Sequence, residues 1–292
     1  MNADEKEARL GYLILLPVFL TFALVIFFPT IKALLDSFSN LSLYNKQNPA
    51  FIGLKNYVGL FTNSAFWQYV VRTFVLVFLA VGLQYVLGLA LALLLNEELP
   101  GLKWAKSIIM IPWVIPVAAM VVMFNWMSTP DYGLFNMILS SIGLEEMTRY
   151  WLGDKAFAFA MVVLMHVWRN MPFYAMMLYA ALKAVPKIQY EAANIDGANA
   201  WQKFKHITLP NIKYPSMIVI VLHVLWTFNN FDVIYLSTGG GPVGKTEVLA
   251  TQVYQMAWTN YEYGKASALG IVMMLAMLAF STIYIKLVRS DS

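Results

Sequence analysis

The 292-residue sequence contains no cysteine. That excludes disulfides, thiolate metal sites and thiol nucleophiles. Charge is scarce as well. Asp, Glu, Lys and Arg together make up 12% of the chain, against about 25% in ordinary soluble domains. The net charge of +4 rests on few residues and gives no nucleic-acid footprint. There is no internal repeat, no low-complexity tract and no stretch long enough for a soluble domain. What the sequence has in excess is apolar side chains. They make up 60% of it, and the mean hydropathy is +0.63, the composition of an all-helical chain that faces lipid.

Six segments are long enough to cross a bilayer core of roughly 30 Å. Leu10 to Ile31, Thr73 to Asn96, Ser107 to Pro130 and Ala266 to Ile285 carry no Asp, Glu, Lys or Arg. A fifth, Ala156 to Leu182, is interrupted only by Arg169, and a sixth runs from Tyr214 to about Leu236 with Asp232 near its end. In chain order the spans are 10–31, 73–96, 107–130, 156–182, 214–236 and 266–285, within a single domain over 1–292. The first is too long for a cleaved signal peptide and lacks a small-residue cleavage site. With both termini in the cytoplasm, the cytoplasmic pieces hold 11 Lys/Arg in 59 residues and the outer pieces 8 in 97, the bias that orients membrane proteins. Trp67, Tyr69, Trp113, Trp126, Trp151 and Trp258 fall near span ends, as interfacial aromatics do. Phe51 to Arg72 reads as an amphipathic element on the membrane surface.

The most distinctive polar segment lies between the fourth and fifth spans, EAANIDGANAWQKFKHITLP from Glu191 to Pro210. Pro186 can open a short helix, and Lys187 to Ile195 continues it with good helix formers. Asp196-Gly197 is a turn signal. Ala198 to Thr208 reads as a second helix with Phe204 and Ile207 on one side and Lys203, Lys205 and His206 around the rest. Leu209-Pro210 marks its stop or a kink. Two short helices on a tight glycine turn, protruding from a membrane, suit insertion into a cleft on a partner.

Glu191-Ala192-Ala193, Asp196-Gly197 and Ile207-x-Leu209-Pro210 in this order resemble the EAA loop of importer-type ABC permeases. The resemblance extends over essentially the whole chain. YLILLPVFLTFALVIFFPTIKALLDSF, FIGLKNYVGLF, WRNMPFYAMMLYAALKAVPKIQYEAA and FNNFDVIYLSTGGGP are similar to the carbohydrate-uptake branch, on the side of the larger maltose-type permease. The extra spans and the large periplasmic insertion of that subunit have no counterpart here. The resemblance implies a type I importer fold in the bacterial inner membrane and no catalysis on this chain. It implies a heterodimer with a second permease, two ATPase subunits that bind ATP and Mg, an extracytoplasmic solute-binding protein and a sugar or oligosaccharide substrate. It implies ATPase coupling through Glu191, Ala192, Ala193, Asp196, Gly197, Phe204, Ile207, Leu209 and Pro210 in the cytoplasmic loop 183–210.

Arg169 stands out inside a span, where a mid-membrane arginine costs about 2.5–3.5 kcal/mol and faces a cavity or a partner. His166 and Asn170 flank it, and Phe173 follows one turn later. On the fifth span His223, Thr227 and Asn230 recur at i, i+4 and i+7 as a polar stripe. By resemblance, the positions that match sugar contacts are His166, Arg169, Asn170 and Phe173 with His223, Trp226, Thr227 and Asn230. Asp232 joins the pathway set as a candidate ion-pair partner for Arg169, and the arginine is read equally as a substrate contact or a helix-holding pair. Arg169 with two histidines points toward an anionic sugar. No metal site is expected.

One motif is a decoy. GGGPVGKT, Gly239 to Thr246, fits the phosphate-binding pattern G-x-x-x-x-G-K-T. That pattern works only between a strand and a helix of an α/β domain, and here it follows a membrane span and falls in an outer loop, where Pro242 also removes an N–H. An ATP-using membrane enzyme is thereby excluded. A proton-coupled secondary transporter using His166, His223 and Asp232 is the competing function. It would not need the Glu191 loop, and the inverted repeat common in such carriers is not visible.

Overall fold

The computed structural model describes residues 3–97 and 101–290; the extreme termini, on which the orientation expectation also bears, lie outside the described residues. The described chain is helical, with one isolated bridge, Ser39 to Phe51, in place of any strand. The helices are α1 (Ala3–Phe22), leading through a π-turn into α2 (Phe28–Asp36), α3 (Lys55–Thr62), α4 (Ser64–Asn96), α5 (Leu102–Ile109), α6 (Ile111–Val114), α7 (Val117–Met127), α8 (Leu134–Ser141), α9 (Ala158–Lys183), α10 (Lys187–Ile195), α11 (Ala200–Lys203), α12 (Leu209–Asn211), α13 (Lys213–Phe228), α14 (Asp232–Thr238), α15 (Leu249–Tyr254) and α16 (Tyr263–Ser290).

Three helical stretches are long and apolar enough to cross a membrane: Tyr12–Asp36, Ser64–Asn96 and Tyr263–Lys286. Two bent pairs bring the number to five. The third expected span is one of them, broken by 91° between Trp104–Val114 and Val117–Met127. Pro116 is the cause. It pushes Ile115 out of the helical region, to ψ 130°, because the proline ring clashes with an α-helical predecessor. The other joins the second loop helix to the start of the fifth expected span. Ala200–Asn211 and Lys213–Phe228 meet at 65°, and α13 stops at Phe228 rather than near Leu236. Its 16 residues reach only about 24 Å. The fourth, α9, has 26 residues and ample length. His166, Arg169, Asn170 and Pro172 lower its apolarity below that of the others.

The chain divides into two compact units, 1–67 with 252–280 and 68–251 with 281–292. In the first unit the side chains of the Tyr12–Asp36 span are almost all exposed, and the buried Asn56 donates from Nδ2 to the carbonyls of Ser37 and Ser39, both at 2.8 Å. The second unit is organised around α9. It contributes to three buried clusters: with Met120, Val121 and Phe124 of α7, with Leu76 of α4 and Ile234 of α14, and with Leu89 and Ala92 of α4 and Ile212. A helix enclosed by protein can carry polar groups that a lipid-facing one cannot.

Helices α4 and α9 touch at Gly88. A Cβ there would lie 2.5 Å from Tyr174 Cβ and 3.2 Å from the Ala175 nitrogen, whereas one at Gly82 would meet nothing within 4 Å. Close backbone approach is what small residues provide between membrane helices. Gly88→Leu is expected to destabilise the protein by about 1–3 kcal/mol or more, and Gly82→Ala to be neutral. Thermal unfolding of the two variants in detergent checks this, and equal midpoints would refute the close contact.

Candidate functional site

The residues singled out on α9 meet those on α13 and α14 in three rungs. Phe173 and His223 have ring centroids 5.3 Å apart, and Trp226 lies 6.1 Å from Phe173 and 5.1 Å from His223. Next, Asn230 approaches the His166 ring. Last, Asp232, in the first turn of α14, lies near enough to Arg169 for their opposite charges to interact. The i, i+4 and i+7 spacing puts His166, Asn170 and Phe173 on one face of α9, whereas Asn230 and Asp232 reach that face from beyond the end of α13 at Phe228, through the turn into α14.

Burial differs along this face. His166, His223 and Thr227 are buried, Arg169, Asn170, Phe173 and Asn230 half-buried, and Trp226 and Asp232 exposed. The His166 Nδ1 lies 2.9 Å from the Val162 carbonyl, while the His166 carbonyl accepts from Gln84 Nε2 at 3.0 Å and Asn170 Nδ2 at 2.9 Å. His223 Nε2 and Arg169 Nε are buried without a hydrogen-bond partner. Pro172 adds polarity, because it has no N–H to give the Trp168 carbonyl. The face therefore combines open aromatic surface with unspent hydrogen-bonding capacity.

Two residues belong here that the sequence reading missed. Trp113 stacks on Phe173, centroids 5.6 Å apart and planes at 28°. It lies one turn before the Pro116 break, on the short helix α6. Tyr174 is fully buried, with its ring 4.4 Å from that of His223. The Pro-Trp-Val-Ile-Pro spacing was the available signal for the first, and no signal marked the second.

The loop between α9 and α13 forms two short helices around Gly197. Gly197 has φ +76°, its N–H donates to the Asn194 carbonyl at 3.2 Å, and the Ala198 N–H donates to the Ala193 carbonyl at 2.9 Å. These two bonds are the Schellman closure of α10, which requires a left-handed residue at this place. Asn199 and Gln202 then cap α11 reciprocally, at 2.8 and 2.9 Å. Tyr190 Oη and Thr208 Oγ1, 3.0 Å apart, and Asn211 Nδ2 donating to Gln189 Oε1 at 2.9 Å tie the arms together. The helix does not stop at Leu209-Pro210. A π-turn over Phe204–Thr208 absorbs the proline, and the bend comes at Ile212.

Phe204, Ile207 and Leu209 pack inward against Leu89, Leu178, Leu182 and Ile212. The small apolar face expected to enter a partner thus anchors the loop to its own bundle. Glu191, Ala192, Asp196, Gly197 and Pro210 are exposed and Ala193 half-buried. A different apolar surface faces outward, made by Ile188, Ile195 (86% exposed) and Trp201. Ile188 and Ile195 are seven apart on α10, a spacing the sequence offered.

Gly239–Thr246 has no preceding strand and follows α14. The Thr246 hydroxyl is committed to Thr238 Oγ1 at 2.6 Å and the Gly241 carbonyl at 2.8 Å. It is no phosphate cradle.

Residues 84–290 match the family described as binding-protein-dependent transport system inner membrane component. The chain belongs to that family. Among relatives, it is 36% identical over 287 residues, 97% of this chain and 95% of the relative, to the trehalose/maltose transport system permease protein MalF of Thermococcus litoralis. It is 31% identical to the sulfoquinovosyl glycerol transport system permease SmoG of Agrobacterium fabrum, covering 98% and 92%. A crystal structure of a bacterial ABC transporter that imports the acidic polysaccharide alginate contains a chain with TM-score 0.86 and 25% identity, covering 98% of this permease and 97% of that chain. The type I importer fold expected of the sequence is thereby established for this inner-membrane component.

Proposed function

We propose that this permease is one of two membrane subunits of an ATP-driven importer for a sugar or oligosaccharide. The observation that carries the reading is the loop around Gly197, a preset helical hairpin whose rim exposes the apolar Ile188, Ile195 and Trp201. Relatives named for trehalose and maltose, for sulfoquinovosyl glycerol and for diacetylchitobiose, and a structural neighbour that imports alginate, support a carbohydrate substrate.

In this reading the hairpin lies in the cytoplasm and docks on one of two ATPase subunits, where ATP and Mg are bound. Ile188, Glu191, Ala192, Asp196, Gly197, Ile195 and Trp201 make the contact, while Phe204, Ile207 and Leu209 hold the hairpin to α9 and Pro210 shapes its exit. Residues 1–292 act as one permease domain with both ends cytoplasmic, and α9 is the fourth of its six spans, tolerated because protein surrounds it. The sugar passes along Trp113, His166, Arg169, Asn170, Phe173, His223, Trp226, Thr227, Asn230 and Asp232, opposite a second permease. A solute-binding protein delivers it from outside. The chain carries out no catalysis. Nothing observed favours the proton-coupled alternative.

The test is purification of the tagged permease from its native membrane in mild detergent. An ATPase and a second permease should accompany the wild type, and Ile195→Asp should reduce the recovered ATPase about tenfold, as loss of a buried contact centre does. A wild-type chain recovered without any ATPase would overturn the reading.

A further inference from the structure

The glycine-rich loop after α14 has a feature that the phosphate pattern does not explain. At its tip Val243 has φ +51°, a conformation that a β-branched L-residue almost never adopts. Val243 is also 79% exposed. An apolar residue that is both strained and fully offered to solvent contributes nothing to the fold at its own position. Such outliers persist only where the surroundings over-determine them, and they gather where a protein binds something.

The surroundings here do over-determine it. Arg72 Nη1 donates to the Gly244 carbonyl at 2.6 Å and to the Glu247 carbonyl at 3.4 Å. The buried Thr246 bonds Thr238 and the Gly241 carbonyl through its hydroxyl and the Gly240 carbonyl through its N–H at 3.2 Å. The Leu249 N–H donates to Thr73 Oγ1 at 3.0 Å. The Glu247 side chain fills the space beside Gly240 and Gly244, where a Cβ would meet it at 2.6 and 3.2 Å. The backbone of the loop is braced, and the exposed side chains within Gly239–Thr246 are those of Val243 and Lys245.

We infer that Val243 is a preset docking knob for the solute-binding protein. The loop lies one membrane crossing, α13 with α14, beyond the Gly197 hairpin, which puts it on the face opposite the ATPase. The family is binding-protein-dependent, so the delivering protein must seat on that outer face. The partner surface that fits is an apolar socket for the valine with an acidic edge for Lys245. A braced loop loses little conformational freedom on docking, which favours association. The identity of the partner rests on the importer reading, whereas the knob itself rests on the geometry.

The chain has no cysteine, so label recovered on this subunit reports the introduced thiol alone. Val243→Cys in the assembled transporter, reconstituted in nanodiscs, should react with a membrane-impermeant maleimide. Saturating solute-binding protein should slow that reaction about tenfold or more. An unchanged rate, with binding-protein-stimulated ATP hydrolysis intact, overturns the knob and leaves the importer reading standing. No stimulation of the wild type by any solute-binding protein overturns both. Should the cysteine variant fail to assemble, Val243→Gly relieves the backbone and removes the contact. It should assemble normally and lower stimulated hydrolysis about tenfold, the size of a lost hot-spot side chain, with basal hydrolysis unchanged; unimpaired stimulation sinks the proposal.

Discussion

Gly197→Val is expected to abolish ATP-driven uptake while the protein still inserts and folds. The left-handed backbone at Gly197, φ +76°, costs an L-residue about 1–2 kcal/mol, and a β-branched side chain suffers most. A Cβ at this site would meet nothing within 4 Å, so the damage stays in the turn. The α10 closure would open, and the Ile188–Ile195 rim would lose its fixed angle to Trp201. ATPase recovered with the purified permease should fall about tenfold or more, with the thermal midpoint of the membrane core unchanged. Gly197→Asn is the informative companion, because asparagine tolerates the left-handed region. Retained coupling in the asparagine variant would assign the requirement to the backbone, and its loss would assign it to close approach by the partner. Uptake at the wild-type rate in Gly197→Val would sink the coupling role altogether.

Much of this architecture was legible from composition and spacing. Apolar length located α4 and α16 because a lipid-facing helix must be apolar all round. The glycine turn was legible because few residues other than glycine close a Schellman motif without strain. The two breaks were not. Pro116 sits inside a run of uncharged residues, and an apolarity argument sums over the bend without registering it. The end of α13 at Phe228 was hidden in the same way, since Asp232-Val-Ile-Tyr-Leu continues the apolar run in a separate helix.

The site followed the same division. Stripe spacing put His166, Asn170 and Phe173 on one face of α9, because seven residues close to two helical turns align on a straight helix, while Asn230 and Asp232 reach that face from beyond the end of α13. Direction was the part that spacing left open. Phe204 and Ile207 share a face, but whether that face turns to the bundle or to a partner depends on the bend at Ile212. The structure turns it inward and leaves Ile188, Ile195 and Trp201 outside. Trp113 joined the aromatic group through its stacking on Phe173, a tertiary fact.

Among pathway residues Trp226 gives the cleanest large effect. It is about half exposed, at 52%, so Trp226→Ala removes aromatic surface without opening a core cavity. Phe173 lacks that advantage, because its ring is held between Trp113 and His223 and truncation would release both. A sugar presents C–H surface to an aromatic face and hydroxyls to polar groups around it. Loss of the Trp226 face should weaken apparent substrate affinity in proteoliposome uptake about thirtyfold, corresponding to about 2 kcal/mol. Basal ATP hydrolysis and recovery of partner subunits should not change, which separates a substrate contact from a packing role. Trp226→Phe should restore most of the affinity. Uptake should be measured with a neutral disaccharide and with an acidic oligosaccharide, since the half-buried Arg169 beside Asp232 offers either a charge for the substrate or a closed pair. Wild-type affinity for every transported sugar in Trp226→Ala would remove the α13 face from the pathway and leave the three rungs as helix packing.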